Sequence, residues 1–308
     1  MKRSSALVDY GSSSEEENVI EKPVQVKKRK LPPLQSSVVV PVPKDNPSLH
    51  QGRIRSTPHV EGQWAVHVYV SVIVERRSPL HQLLQNVLTT AKESCPALQL
   101  VPGLGNPDGD HKTIELHVSL SRPLFVRAYQ REEVKRSVRR LAQLSPPFKA
   151  SFSSFSRLTN DENTRTFVAL DIGGGFPELK SLTERLTSAL QSFRQKVYYD
   201  EPKFHASIAW ALLEPPLSSR PTQSSRSTAP GSSDYTASAI DEQVDLPTTI
   251  ESTSIEFPRI PQLPESTATL LNEKYKDTLS VNRVSTFDVR RVHLRIGKEV
   301  FVWQLDGE

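Results

Sequence analysis

The sequence predicts an α+β protein of two pseudo-symmetric lobes, each an antiparallel sheet with helices, facing across a central cleft. Three observations carry this expectation. Residues 64–74 (WAVHVYVSVIV) alternate with period two, placing Trp64, Val66, Val68, Val70, Val72 and Val74 on one face of a strand. The run that follows has helical spacing, with Leu80, Leu83, Leu84, Val87 and Leu88 on one side. The order strand, helix, strand then occurs twice, over about 64–121 and about 165–212, and each copy ends in a strand carrying His-x-Ser.

Taken in order, residues 1–57 read as a disordered tail rich in Ser, Glu, Lys and Pro. Ser78-Pro79 opens the first helix, expected to run to about 94. A strand is expected near 113–121, then a basic amphipathic helix over about 123–144 with Val134, Val138 and Leu141 inward. Two strands follow near 149–158 and 165–172. Pro177 opens a further helix with Leu179, Leu182, Leu186, Leu190 and Phe193 on its inner face. A strand is expected near 203–212. Residues 215–252, dominated by Ser, Thr and Pro, read as a disordered surface insert. The segment 284–305 reads as strands with a turn at Gly297-Lys298.

The net charge of +4 leans basic, which suits a polyanionic partner. The single cysteine, Cys95, forms no internal disulfide and no Cys-rich zinc site. No apolar run is long enough to span a bilayer and the N-terminus lacks a signal-peptide pattern, so a soluble intracellular protein is expected. The run Lys27, Lys28, Arg29, Lys30 reads either as a nuclear localisation signal or as a solvated charge run. His59, His67, His81, His111 and His293 lack metal-ligand spacing, and His67 and His293 are expected to be structural. No metal and no cofactor are expected. Gly173-Gly174-Gly175 reads as a strand-to-helix turn, or as a phosphate cradle. The basic helix bearing Arg131, Lys135, Arg139 and Arg140 reads as a solvated face, with RNA attraction as the alternative.

The two triplets carry the chemistry. In the first, Ile114, Leu116, Val118 and Leu120 point one way while His117 and Ser119 point the other. In the second, Phe204, Ala206, Ile208 and Trp210 point one way while His205 and Ser207 point the other. Side chains two apart on a strand lie about 6–7 Å apart on one face. Each motif therefore presents an imidazole beside a hydroxyl. Two such units facing each other supply what phosphodiester transesterification needs. A neutral imidazole takes the ribose 2′-hydroxyl proton, a protonated one gives a proton to the leaving 5′-oxygen, and hydroxyls hold the phosphate oxygens. Histidine titrates near neutrality and suits both roles. One His-x-Ser alone signifies nothing; two on matched strands do.

These paired motifs resemble those of the two-histidine (2H) phosphoesterase superfamily, and within it the U6 snRNA phosphodiesterase family. The resemblance rests on HVSLSR at 117–122 and YDEPKFHASIAW at 199–210, with PHVEGQWAVHVYV at 58–70, VHLRIGKEVFVWQL at 292–305 and the tail segment LVDYGSSSEEE at 7–17. It implies the 2H phosphoesterase fold over residues 58–308, with a terminal lobe of about 58–112 and 200–308 and a transit lobe of about 113–199. It implies a metal-independent 3′–5′ exonuclease that trims the oligouridine 3′ end of U6 snRNA in the nucleus, in U6 3′-end processing and splicing. The end left would be a 2′,3′-cyclic phosphate or a 3′-phosphate. His117 and His205 are then catalytic, with His205 as base and His117 as acid. Ser119 and Ser207 bind phosphate, and Tyr199 stacks on a terminal base, with a strand-edge core tyrosine as the alternative. The partner implied is the 3′ end of single-stranded RNA, with no membrane, and the protein is expected to be a monomer. Two alternatives stay open: another superfamily reaction, on cyclic phosphate or 2′–5′ linkages, and a non-catalytic RNA-binding module.

Overall fold

The structure, a computed structural model, describes residues 46–53, 60–105, 112–193, 198–215 and 257–307. The basic run at 27–30, His59, His111 and nearly all of the Ser/Thr/Pro insert lie outside the described residues. Of the tail expected to be disordered, residues 46–53 are ordered. A 3-10 turn at Pro47–His50 is capped by Asn46, whose side chain accepts from the Ser48 amide at 3.1 Å. Gly52 then takes a left-handed φ of 77° where a Cβ would come within 2.6 Å of Leu212.

Strand β1 (Gln63–Glu75) buries Val66, Val68, Val70, Val72 and Val74. Trp64, opposite the buried Val126, lies at the open end of that face: it is 38% exposed and sits under the Arg131 guanidinium at 4.4 Å. Helix α1 (Pro79–Ser94) starts where Ser78 Oγ accepts from the His81 amide at 3.2 Å and Pro79 occupies the first turn. It buries Leu80, Leu83, Leu84, Val87 and Leu88, each contributing about 1.5–3 kcal/mol by leaving water. Then come β2 (Gln99–Leu100), β3 (Thr113–Ser119), β4 (Leu124–Arg127), α2 (Arg131–Gln143), β5 (Phe148–Thr159), β6 (Arg165–Ile172) and α3 (Phe176–Leu190). The remaining elements are β7 (His205–Leu213), β8 (Arg259–Ile260), α4 (Glu265–Leu279), α5 (Asn282–Ser285), β9 (Thr286–Val289), β10 (Arg291–Ile296) and β11 (Glu299–Gln304).

Besides the short elements β2, β8 and α5, two elements differ from expectation. The helix expected from about 123 begins at Arg131, because Leu124 and Val126 are buried and residues 124–127 pair with β1 instead. Helix α4 was not foreseen. It follows Pro264 and buries Leu271 and Leu279, two turns apart, against α1 and β5.

The strands form one continuous sheet in the order β11-β10-β1-β3-β7-β6-β5-β9. It has two halves of matching order, β3-β1-β10-β11 and β7-β6-β5-β9, which meet where Val118 of β3 pairs with Ala206 of β7. Residues 113–119 therefore belong with β1, and 205–213 with β6. The halves meet at this seam. One face packs against the helices in a single apolar core that includes Val68, Val118, Ala206, Leu170 and Leu294. Strand alternation turns the other face, with both His-x-Ser motifs, toward the cleft. Among the described residues no helix is long and apolar enough to cross a membrane.

Candidate active site

Strand β3 is anchored by Ile114, Leu116 and Val118, all at most 3% exposed. Their burial forces Glu115, His117 and Ser119 onto the cleft face. In β7, Ala206 and Ile208 are fully buried, and His205 and Ser207 face the cleft. The antiparallel register Val118↔Ala206, continued one residue each way, sets His117 beside Ser207 and Ser119 beside His205. Each imidazole thus faces the hydroxyl of the other motif. All four expected residues gather at the seam.

The expected side of Trp210 is overturned. Ala169 pairs with Ser207 but Val168 with Ala209, so Ile208 is an extra residue in a bulge. Beyond the bulge the alternation inverts: Ala209 and Ala211 join the core, and Trp210 turns to the face where Arg53 stacks on it at 5.5 Å.

The surroundings of the two imidazoles differ. His205 Nδ1 lies 2.6 Å from the Lys203 carbonyl, so Nδ1 carries hydrogen and donates. In the neutral ring Nε2 then holds the free lone pair. Asp171 lies opposite His205 on β6, and its carboxylate accepts from Ser154 at 3.2 Å and Ser156 at 2.5 Å. Burial lowers the His205 pKa below its ordinary value, opposed by the Lys203 carbonyl and the Asp171 charge. His117 Nε2 is 3.6 Å from Glu115, and its ring tilts against Tyr69 at 4.1 Å. Burial lowers its pKa too, opposed mainly by Glu115, while Arg295 adds to the lowering.

Residues expected to be structural enter the site. His67 Nε2 lies 2.9 Å from Ser119 Oγ. Tyr69 stacks between His67 and His293, with ring centroids 5.1 Å away on each side. The Tyr198 hydroxyl donates to the Ser119 carbonyl at 3.0 Å. The signal for His67 and Tyr69 was present in the sequence: they are odd-numbered residues of a strand whose even residues from 66 to 74 are all Val, so they share a face. Glu115 shares that signal, two residues before His117 on β3; Asp171 carried no such mark.

Tyr199 precedes β7 and is 44% exposed. The Arg122 guanidinium covers its ring at 4.5 Å, its hydroxyl donates to Asp161 at 3.0 Å, and Arg122 pairs with Asp161. Burial, and then the bond to Asp161, raise its pKa. An open aromatic ring braced at its edge and over one side is a surface on which a base can stack. His81 serves the start of α1, its Nδ1 accepting from the Arg77 amide at 3.3 Å. At Gly175 φ is 82°, and a Cβ would meet Ala150 Cβ at 2.8 Å; the Gly174 amide donates to Ser151 Oγ at 3.2 Å. This segment is a turn packed on β5. In α2, Arg131 pairs with Glu299 at 2.9 Å and Lys135 with Glu132 at 2.7 Å, so two of its cations are engaged within the fold. Among the described residues no group of three or more His, Cys, Asp or Glu side chains is arranged to hold a metal ion.

The HVSL family, described as an uncharacterised conserved protein, matches residues 31–304, and its four letters are those of residues 117–120. U6 snRNA phosphodiesterase 1 of Drosophila melanogaster is 30% identical over 226 residues, covering 67% of this chain and 82% of the relative. The chain belongs to the U6 snRNA phosphodiesterase family. The Mus musculus U6 snRNA phosphodiesterase 1 is 31% identical over 55% of this chain, and the match spans 58% of the mouse protein's length. The structure of Kluyveromyces marxianus Usb1 aligns over 78% of this chain and 98% of that chain, at 13% identity and a TM-score of 0.42. Within the family region, the motif strands β3 and β7 form the seam described above.

Proposed function

We propose that this protein is an RNA phosphodiesterase that shortens the oligouridine 3′ end of U6 snRNA, one nucleotide at a time, by metal-independent transesterification. The observation that carries this reading is the Val118–Ala206 pairing at the seam, which brings the two His-x-Ser strands side by side. His205 is the base. Its Nδ1–H is committed to the Lys203 carbonyl, leaving Nε2 to take the proton of the penultimate 2′-hydroxyl. The 2′-oxygen attacks the adjacent phosphorus, and the bond from phosphorus to the terminal nucleoside's 5′-oxygen breaks. His117, beside the Glu115 carboxylate that favours its protonated form, gives a proton to that oxygen. Ser119 and Ser207 donate to the non-bridging oxygens as charge builds on them. The first product is a shortened RNA with a 2′,3′-cyclic phosphate, so the first step is of lyase type. A terminal base stacks on Tyr199. The protein acts as a monomer, without a cofactor, in the nucleus where its substrate is processed.

The test incubates an oligouridine RNA bearing a free 3′-hydroxyl with the protein in EDTA and resolves the products by mass spectrometry. Parallel reactions use RNA with a 2′-deoxy penultimate sugar and the variants His117→Ala and His205→Ala. The expected result is stepwise shortening that survives EDTA and is abolished by the 2′-deoxy sugar and by either variant. Cleavage that ignores the missing 2′-hydroxyl, or full activity of either variant, overturns the mechanism.

A further inference from the structure

The two serines of the site are held differently. Ser207 lies opposite Ala169, which offers no polar side chain. Ser119 has His67 at its hydroxyl and Tyr198 at its carbonyl. The His67 ring is fixed by its stack on Tyr69, with planes inclined by 21°, and Tyr69 is stacked in turn on His293. Burial, the neighbouring His117 and Arg295 lower the His67 pKa to about 4, so the ring is neutral at physiological pH and carries one N–H.

That single hydrogen decides what Ser119 can do. A serine hydroxyl has one hydrogen to donate. If His67 Nε2 lacks hydrogen, Ser119 donates to it and has nothing left for a phosphate oxygen. If Nε2 carries hydrogen, the imidazole donates to Ser119 Oγ, the serine hydrogen is free, and the incoming bond polarises the hydroxyl into a stronger donor. We propose that His67 is a positioning residue that donates from Nε2–H to Ser119 Oγ and so aims the serine's hydrogen at a non-bridging oxygen of the scissile phosphate. This rests on the phosphodiesterase reading above and deepens it. The two phosphate-holding serines are then unequal: Ser119 is oriented in advance by His67, whereas Ser207 has only Ala169 on its β6 side.

The experiment compares His67→Phe, His67→Gln, Ser119→Ala and the double variant His67→Phe/Ser119→Ala on oligouridine RNA. Phe keeps a ring to stack on Tyr69 but has no donor. Gln brings an amide N–H to about the position of Nε2. His67→Phe is expected to lower kcat about tenfold or more with little change in KM, since a donor aimed at developing charge acts in the transition state. His67→Gln is expected to recover most of that loss. In the Ser119→Ala background, His67→Phe is expected to cost less than about twofold further, because it acts only through the missing hydroxyl. Losses that multiply in the double variant, or a Gln variant no better than Phe, overturn the proposal. A second measurement needs no substrate: nitrogen-15 NMR of the free wild-type protein reads the tautomer of His67, assigned by the signal lost in His67→Gln. An Nε2–H tautomer is expected, and Nδ1–H overturns the proposal. Full activity of His117→Ala or His205→Ala would instead sink the mechanism on which the proposal rests, while the tautomer result would still judge the His67–Ser119 bond itself.

Discussion

Asp171→Asn removes one charge beside one imidazole and leaves the side-chain shape almost unchanged. Asp171 pairs directly with His205 across β6 and β7. Facing side chains on antiparallel neighbours have Cβ atoms about 4.5–5.5 Å apart, which sets the two charges about 6 Å from each other. In a half-open cleft with an effective dielectric of about 40–80, Coulomb's law gives about 0.7–1.4 kcal/mol for such a pair. That equals a displacement of about half to one pH unit in whichever limb of the activity profile His205 governs. The sign follows from the charge. Asp171 favours the imidazolium, opposing the lowering caused by burial. Without it the ring loses its proton at lower pH. With His205 as base, the acidic limb moves to lower pH and the alkaline limb, governed by His117, stays. Were His205 the acid, the alkaline limb would fall instead and the active range would narrow.

The assay is the initial rate of oligouridine shortening from about pH 5 to 9 at constant ionic strength, below saturation, so that the profile reports the free protein. Ser156→Ala serves as the control, since it removes a hydrogen bond to Asp171 and keeps the charge. A profile in which neither limb moves refutes the coupling of Asp171 to the site. Movement of the alkaline limb alone refutes the assignment of His205 as base.

Tyr199→Ala is expected to raise KM for oligouridine by about 5–150-fold, the equivalent of about 1–3 kcal/mol of base stacking, with kcat largely retained. Tyr199→Phe keeps the ring, loses only the bond to Asp161, and should fall between the two in steady-state kinetics. An unchanged KM for Tyr199→Ala would remove Tyr199 from the binding surface. Gly175→Ala forces a left-handed φ of 82° on alanine and drives its Cβ to 2.9 Å from the Lys149 carbonyl oxygen. It is expected to cost about 1–3 kcal/mol, read as a drop of several degrees in a thermal melt. A melt unchanged from wild type would mean that the turn before α3 relaxes without strain.

How much of this was legible in the sequence can be traced to particular residues. The Val66–Val74 alternation, the Ser78-Pro79 helix start and the Gly297 turn each carry a local signal strong enough to survive in the fold. The same logic placed His117, Ser119, His205 and Ser207 on cleft faces, because their strand neighbours are apolar. Signals that depend on pairing were not readable. Residues 124–127 look compatible with a helix until β1 offers them a partner. The bulge that inverts Trp210 is set by how β6 and β7 match in register, which no residue of β7 announces alone. Helix α4 has a sparse apolar face, with Leu271 and Leu279 two turns apart, so its periodicity is thin. Asp171 reads as an ordinary polar strand residue until its pairing with His205 is known.

The proposed reaction needs its two imidazoles to differ, although the motifs that carry them are alike. Two identical imidazoles in identical surroundings would populate the two singly protonated arrangements equally, and only one of them has base and acid in the productive order. The motifs themselves, His-x-Ser and His-x-Ser, cannot break that tie. The strands beside them do. Opposite His117 and Ser119 stand Ser71 and Tyr69 of β1; opposite His205 and Ser207 stand Asp171 and Ala169 of β6. His117 gains its carboxylate from Glu115 on its own strand, within ion-pair distance of Nε2, whereas His205 commits Nδ1 to a neutral carbonyl and keeps Nε2 clear. The groups that distinguish the two imidazoles thus lie outside both triplets, Glu115 beside His117 and Asp171 with the Lys203 carbonyl beside His205, so in the proposed mechanism exchanging these neighbours, rather than the motifs, is the change expected to exchange acid and base.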